Sequence, residues 1–218
     1  SDVGARVGLA VSSSEICTNN APYFAIKRGN KSYGVMQGCC NDWNCPKCGI
    51  KRAKAEYGRI LEGCREIAKN HAIYFITLTC RGADLSLSEA EENYYRWTNK
   101  LLTACRVRAK REKQHWTYVQ VTERQKRGHP HSHVLTTWKP HDLRTGTVTK
   151  WQMIDGARRP VEVEALRSDW LQARCKSAGL GDQYDISKVE TVEGASRYVA
   201  KYLFKDSMFS TIWRKGWK

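Results

Sequence analysis

The stretch that decides the fold is residues 128–135, with the sequence GHPHSHVL, together with the residues on either side of it. Positions 116–123 and 131–138 are rich in β-branched and aromatic residues and predict two strands, which the basic turn RQKRG connects. The short gap between the two strands predicts an antiparallel hairpin. Alternate side chains of a strand share one face, so we expect His131 and His133 to lie side by side.

The segments around this hairpin complete a mixed pattern of helices and strands. Apolar residues at helical spacing predict four helices, and short runs of β-branched and aromatic residues predict two further strands. The helices are expected at 51–69, 86–111, 161–178 and 193–205, the strands at 73–80 and 185–190, and a long loop or insertion at 139–160. This order predicts an α+β fold in which helices cover an antiparallel sheet of split-βαβ connectivity.

The distribution of cysteines divides the chain near residue 50. Residues 1–50 are rich in turn-forming residues, lack helical periodicity and contain five of the nine cysteines. Residues 51–218 carry the helical and strand patterns. We therefore predict a small cysteine-rich module at 1–50 and a larger domain at 51–218.

The cysteines of the first segment have the spacing of metal ligands. Cys45 and Cys48 form a pair separated by two residues, as in a zinc knuckle. Either Cys39 or Cys40, together with the more distant Cys17, could complete a set of four thiolates. A Cys-x-x-Cys pair alone is also compatible with a redox motif, but the upstream cysteines favour a structural Zn²⁺ in a reducing compartment.

The charge of the chain favours a polyanionic partner. The sequence contains 37 Lys and Arg against 22 Asp and Glu, a formal net charge of +15. Its ten Tyr and eight Trp suit stacking against unpaired bases. We find no apolar run of about 18 residues and no secretory signal, so we expect no membrane contact and a location in the cytoplasm of a bacterial host. The sequence begins at Ser1 rather than at Met, as a segment trimmed from a longer protein would.

The histidine pair predicts a metal site whose third ligand depends on the register of the hairpin. Two imidazoles leave a hard metal ion in need of an oxygen ligand. Glu123 supplies this oxygen if it pairs directly with His131 across the hairpin. A shifted register would offer Gln120 or Thr122 instead, because a slip of one residue reverses every side chain.

The last predicted helix carries two tyrosines on one polar face. With 100° per residue, Tyr202 lies about 40° from Tyr198, and Lys201 and Lys205 lie within about 60° on the same side. The opposite face is apolar and consists of Val199, Ala200, Leu203 and Phe204. A phenol becomes a nucleophile more readily beside a cation or a metal-bound phosphate. A metal ion near two tyrosines is suited to cutting and rejoining a phosphodiester backbone.

Three blocks in this order resemble the motifs of rolling-circle replication initiators of the HUH endonuclease superfamily. The blocks are FITLT at 75–79, HPHSHVL at 129–135 and YVAKY at 198–202. The second is similar to the His-Pro-His-x-His-x-Leu motif of plasmid replication proteins. The third is similar to the two-tyrosine motif of the initiators of small isometric single-stranded DNA phages.

A fourth segment and three departures refine this resemblance. Residues 40–48 are similar to the cysteine-rich region ahead of the nuclease in plasmid initiators, which favours Cys40 over Cys39. Ser132 stands where such proteins usually have a hydrophobic residue. Gly194 stands where some plasmid relatives have a glutamate that activates water, with Glu193 one position earlier. In some relatives, the strand acid falls at the position of Gln120.

The resemblance implies a ferredoxin-like nuclease core that nicks and religates single-stranded DNA. His131, His133 and Glu123 would bind a catalytic Mg²⁺ or Mn²⁺. Tyr198 would attack the scissile phosphorus, leaving a 5′-phosphotyrosine and a free 3′-hydroxyl that primes synthesis. Tyr202 would attack in the next round, so that the two tyrosines alternate.

The resemblance also implies the partners of the chain. These are single-stranded DNA at a replication origin, at a hairpin or its flank, and the replication machinery of the host. The expected DNA contacts are Arg124, Lys126, Arg127, His129 and Lys205. Two alternatives share part of this pattern: a transposase or relaxase of the same superfamily, and a non-catalytic zinc-bearing nucleic-acid-binding protein.

Overall fold

The computed structural model describes most of the chain. The described residues are 17, 23–28, 31–38, 40, 42, 45–80, 85–125, 128–181, 184–205 and 211–215. They fall into two compact units, residues 1–56 and residues 57–218. Among the described residues, no helix combines the length and the apolar character needed to cross a membrane.

The first unit contains an antiparallel hairpin of two strands, β1 (Tyr23–Arg28) and β2 (Lys31–Gln37). Helix α1 (Pro46–Ala68) begins in this unit and ends in the second. The sequence prediction of a turn-rich segment missed the hairpin. Its signal is present in the sequence, since the dipeptide Gly29-Asn30 separates two short runs that contain aromatic and β-branched residues.

The second unit is an α+β structure built on an antiparallel sheet. After the end of α1 its elements are β3 (Tyr74–Thr79), α2 (Leu87–Arg111), β4 (Tyr118–Arg124), β5 (Pro130–Thr136), β6 (Arg144–Ile154), β7 (Ala157–Arg167), α3 (Asp169–Ala178), β8 (Tyr184–Lys188), α4 (Val192–Lys205) and β9 (Thr211–Lys215). Five of the strands form one sheet in the order β8-β3-β5-β4-β9, with all neighbours antiparallel. The predicted α+β class with antiparallel sheets is confirmed.

One face of this sheet forms the main hydrophobic core. Strand β3 alternates between buried and partly buried residues along its whole length. Its buried residues Ile76 and Leu78 pack with Val134 of β5 against buried side chains of α2 and α3. These helix residues include Tyr94, Leu101, Leu102, Leu171 and Cys175. The opposite face of the sheet is therefore left for α4 and for the polar residues of the hairpin.

The long helix α2 begins where the sequence predicts. Ser86 is its N-cap, and the Ser86 side chain and the Glu89 side chain bond each other's backbone N–H groups in a capping box. Such a box satisfies two amide groups that a helix start leaves without partners. Helix α3 begins at the Ser168 cap and ends at Gly179, whose φ of +106° is accessible mainly to glycine.

Two predictions for residues 139–178 are wrong. Residues 144–154 form strand β6 rather than a loop, and residues 157–167 form β7 rather than the start of a helix. The alternation of valine and glutamate at 161–164 has the two-residue period of a strand. The connecting Asp155 and Gly156 both have positive φ, as a tight hairpin turn requires. Strand β9 was also not predicted.

Candidate metal centres and the tyrosine helix

Four cysteines of the first unit come together at its helix start. One sulfur from each of Cys17, Cys40, Cys45 and Cys48 lies within 4.8 Å of the others. The Sγ atom of Cys17 lies 3.6 Å from that of Cys45 and 3.7 Å from that of Cys48. Four sulfurs bound at about 2.3 Å to a tetrahedral ion are ~3.8 Å apart. The spacing fits a zinc ion and is far longer than a disulfide bond.

The local backbone supports this arrangement. The backbone N–H of Cys48 donates to the Sγ atom of Cys45 over 3.5 Å, which directs the second sulfur back toward the first. Cys17, Cys45 and Cys48 are buried, and all four thiols are free of disulfides. This cluster could bind a metal such as zinc. Cys39, the alternative third ligand, lies outside the described residues.

The second cluster lies on the β4–β5 hairpin, where the register is the direct one. Glu123 pairs with His131, so the two side chains and that of His133 share one face of the sheet. Their ligand atoms lie within 4.8 Å of one another, and Nε2 of His133 is 3.4 Å from Oε1 of Glu123. Gln120 and Thr122 pair with residues of the opposite face, so neither takes the place of the glutamate.

The donor set of this second cluster fits a divalent ion. Neighbouring ligands of an octahedral ion at about 2.1 Å are ~3 Å apart, close to the observed separation. Glu123 and His133 are 6% and 2% exposed, while His131 is half-buried. A buried carboxylate beside two imidazoles is stabilised by a positive charge between them. The cluster could therefore bind a second metal ion.

Strand β3 holds the two imidazoles from the other side. Thr77 pairs with His133 and Thr79 pairs with His131. The Oγ1 atom of each threonine lies 3.3 Å and 3.4 Å, respectively, from Nδ1 of its histidine. A hydroxyl that accepts a hydrogen bond from Nδ1–H leaves Nε2 as the metal-binding nitrogen.

Gln125 supplies a further contact, with its side-chain amide nitrogen 2.9 Å from Nδ1 of His131. Sequence reasoning did not identify this residue or the two threonines. The signal for the threonines was their alternation with buried residues in β3, which places them on the face of the histidines.

Helix α4 brings Tyr198 to the same face. The Tyr198 ring is 5.5 Å from the His133 ring and 5.1 Å from the Phe75 ring, each in an edge-to-face arrangement. Tyr198 is 45% exposed, whereas the neighbouring residues Ser196 and Val199 are fully buried. The first tyrosine of the predicted pair is thus close to the histidine pair and open to solvent.

The remaining predicted residues of this helix are described only in their backbone. Tyr202 follows Tyr198 by one turn of α4, and Lys201 and Lys205 belong to the same helix. Their side chains lie outside the described residues. The face they share with Tyr198 stays a prediction.

The predicted DNA contacts of the hairpin turn are differently placed. The Arg124 guanidinium forms an ion pair with Glu91 of α2 at 2.6 Å. His129 is buried, with Nε2 3.2 Å from the backbone oxygen of Leu85. Lys126 and Arg127 lie outside the described residues.

Glu193 and Gly194 occupy the start of α4, away from the metal cluster. The carboxylate of Glu193 accepts a hydrogen bond from Arg65 of α1 at 3.0 Å. Its own backbone N–H and this guanidinium lower the pKa of Glu193. A Cβ atom at Gly194 would lie 2.6 Å from Oγ1 of Thr191, so a larger residue there requires that side chain to move.

Comparison with known proteins identifies the family. Residues 73–207, more than half of the chain, match the family of the replication-associated protein ORF2. The chain belongs to this family of replication-associated proteins. Membership assigns it to replication initiation and implies contact with nucleic acid. No significant match was found among the curated proteins or among the solved structures.

Proposed function

We propose that this protein is a rolling-circle replication initiator, which nicks and rejoins single-stranded DNA through a 5′-phosphotyrosine. The observation that carries the proposal is the position of Tyr198. Its ring lies 5.5 Å from that of His133, a member of the only His-containing cluster among the described residues that could hold a metal ion. The chain that presents this pair belongs to a replication-associated family.

The topology of the second unit supports an HUH nuclease core. Helix α2 connects β3 to β4, and helix α3 lies between β5 and β8. The strand order β8-β3-β5-β4 is the one expected of a split-βαβ unit, in which the second strand is not adjacent to the first. On this proposal residues 51–218 form the nuclease domain and residues 1–50 form the zinc-binding module.

The metal site would be formed by Glu123, His131 and His133. A Mg²⁺ or Mn²⁺ ion bound there supplies Lewis-acid polarisation of the scissile phosphate. Thr77 and Thr79 hold the two imidazoles with Nε2 available. The neighbouring ring of Phe75 stacks on His133 at 5.4 Å and shields that side of the site from water.

Tyr198 would carry the covalent step. Its phenolic oxygen attacks phosphorus, the bond from phosphorus to the 3′-oxygen of the preceding nucleotide breaks, and that oxygen takes up a proton to become a 3′-hydroxyl. The proton of the phenol passes to solvent, which the exposure of Tyr198 permits. The product is a 5′-phosphotyrosine, and attack by a later 3′-hydroxyl reverses the step and rejoins the strand.

Tyr202 would serve as the second nucleophile. It follows one helical turn later, so a single metal site can serve both residues in succession. Lys201, on the same helix, would offset the charge of the phenolate. Alternation of the two tyrosines would release a circular product without free hydrolysis.

The basic residues near the site would hold the DNA. We assign this role to Arg124, Lys126, Arg127, His129 and Lys205, of which His129 would act from a buried position behind the hairpin. The ligand would be single-stranded DNA at an origin hairpin or its flank, and the host replication machinery would extend the 3′-hydroxyl. The proposed compartment is the cytoplasm of a bacterial host.

A covalent-adduct assay tests this function. The purified chain is incubated with labelled single-stranded oligonucleotides and Mn²⁺, with and without chelator, and separated under denaturing conditions. We expect a labelled protein band that requires the metal. A protein that binds the oligonucleotides without forming an adduct would instead be a non-catalytic nucleic-acid-binding protein.

A further inference from the structure

The core-side face of the sheet carries a cleft far from the metal cluster. The cleft has a volume of about 170 Å³ and is lined by four residues of α2 and by two aromatic residues at the start of β4: Asn99, Leu102, Thr103, Arg106, Trp116 and Tyr118. Tyr118 pairs with Thr136 on the face opposite to Glu123. The two positions are also separated by five residues of strand, about 17 Å.

The lining combines aromatic, amide and cationic groups. The rings of Trp116 and Tyr118 are 5.5 Å apart and tilted by 51°. Both rings are only partly buried. The indole N–H of Trp116 is shielded from solvent and has no acceptor among the described residues. An aromatic pair, an amide and a guanidinium are the groups that contact a base and its phosphate in single-stranded nucleic acids.

The helix that forms one wall is strongly basic on its solvent face. Residues 96–111 contain six basic residues and no acidic one. Five of the six are exposed and form no ion pair with any described carboxylate: Arg96, Lys100, Arg106, Lys110 and Arg111. The sixth, Arg108, is paired with Glu112. A row of cations without neighbouring carboxylates favours an anionic ligand that extends along α2.

We propose that this cleft is a second binding site for single-stranded DNA, which holds one unpaired nucleotide behind the sheet. The base would contact Trp116 and Tyr118, and its phosphate would contact Arg106. The rest of the strand would follow the basic face of α2. The inference rests on the proposed function only in taking the ligand to be the same single strand.

Binding measurements separate this site from the nuclease site. Tyr198→Phe is used as the background, so that no covalent bond forms, and binding of labelled oligo-thymidine is followed by anisotropy over a series of salt concentrations. Arg106→Gln should weaken binding by about tenfold and reduce the slope of log K against log salt by ~0.7, the value for one lost phosphate contact on a single strand.

Arg174→Gln is the matched control. It removes the same charge from an exposed position of α3 that does not line the cleft. We expect it to leave the slope unchanged. Equal losses in the two variants would overturn the site, because general charge would then explain the binding. Equal competition by duplex DNA would overturn the assignment to an unpaired strand.

Crosslinking gives a second and direct readout. Oligonucleotides with photoreactive iodinated uracil should crosslink to the peptide that contains Trp116 and Tyr118, in addition to any crosslink near Tyr198. Crosslinks confined to the metal site would reject the cleft. A wild-type protein that forms no adduct but binds in an Arg106-dependent way would reject the nuclease and retain the cleft. Normal cleavage with Arg106-independent binding would do the reverse.

Discussion

Replacement of Thr77 by valine removes one hydroxyl from the metal site while almost preserving the volume of the side chain. The Oγ1 atom of Thr77 lies 3.3 Å from Nδ1 of His133. The His133 ring is only 2% exposed, so water has little access to take over this contact. The variant therefore leaves a buried ring nitrogen without its hydroxyl partner, at a cost of about 1–3 kcal/mol to the folded state.

The larger effect is expected on metal binding. Loss of the group that orients a metal-binding histidine typically weakens affinity by about 10–100-fold, or about 1.4–2.8 kcal/mol. We expect this range for Mn²⁺ binding to Thr77→Val, measured by titration calorimetry or by the Mn²⁺ dependence of adduct formation. Thr77→Ser, which retains the hydroxyl, should restore affinity close to that of the wild type.

Thr136→Val is the matched control, because its hydroxyl lies in the same sheet but away from the cluster. The Thr136 hydroxyl donates to the backbone oxygen of Thr117 at 2.8 Å. This variant should lose stability without losing Mn²⁺ affinity. If Thr77→Val binds Mn²⁺ as tightly as the wild type at a temperature where both are folded, the assignment of Thr77 as an orienting residue is wrong.

Three further predictions address the chemistry and the zinc module. Alanine at either member of the histidine pair should abolish adduct formation with Mg²⁺ or Mn²⁺, and cleavage at the wild-type rate would reject the metal site. Tyr198→Phe should abolish the first adduct, whereas Tyr202→Phe should nick once and fail in strand transfer; mass spectrometry of the trapped peptide identifies the nucleophile, and an adduct on Tyr202 alone would reverse the roles. Elemental analysis should find one Zn²⁺ per chain, retained in Cys39→Ser and lost with a fall in Tm in Cys40→Ser; freshly purified wild type without zinc would exclude the structural site.

The sequence predicts best those elements whose period and end signals agree. For α2, the helical spacing and the Ser86 capping box lead to one answer, and the structure has the helix at Leu87–Arg111. The hairpin of β4 and β5 was predicted from two β-rich runs and a short basic turn. Its register could not be derived from the sequence, because a slip of one residue satisfies the same local pattern.

The errors arise where one segment fits two periods. Residues 161–167 have apolar residues that satisfy both a helical and a strand interpretation over so short a length. Pairing with β6 decides for the strand, and a contact of this kind is not visible in the local sequence. The threonines of β3 were missed for a related reason, since their role depends on which residues of β5 lie beside them.

The unusual serine between the two histidines illustrates how pairing separates the core from the site. Ser132 is fully buried on the face opposite to the histidines, where its hydroxyl lies 2.9 Å from the amide nitrogen of Gln120 and 2.8 Å from Oγ1 of Thr122. A hydrophobic residue at 132 would leave the Gln120 amide with one fewer partner in the core, at a cost of about 1–3 kcal/mol. The three residues therefore form a unit whose substitutions are not additive. Since every member faces α2, a change in this unit alters the stability of the sheet and reaches the metal ligands only through the backbone of β4 and β5.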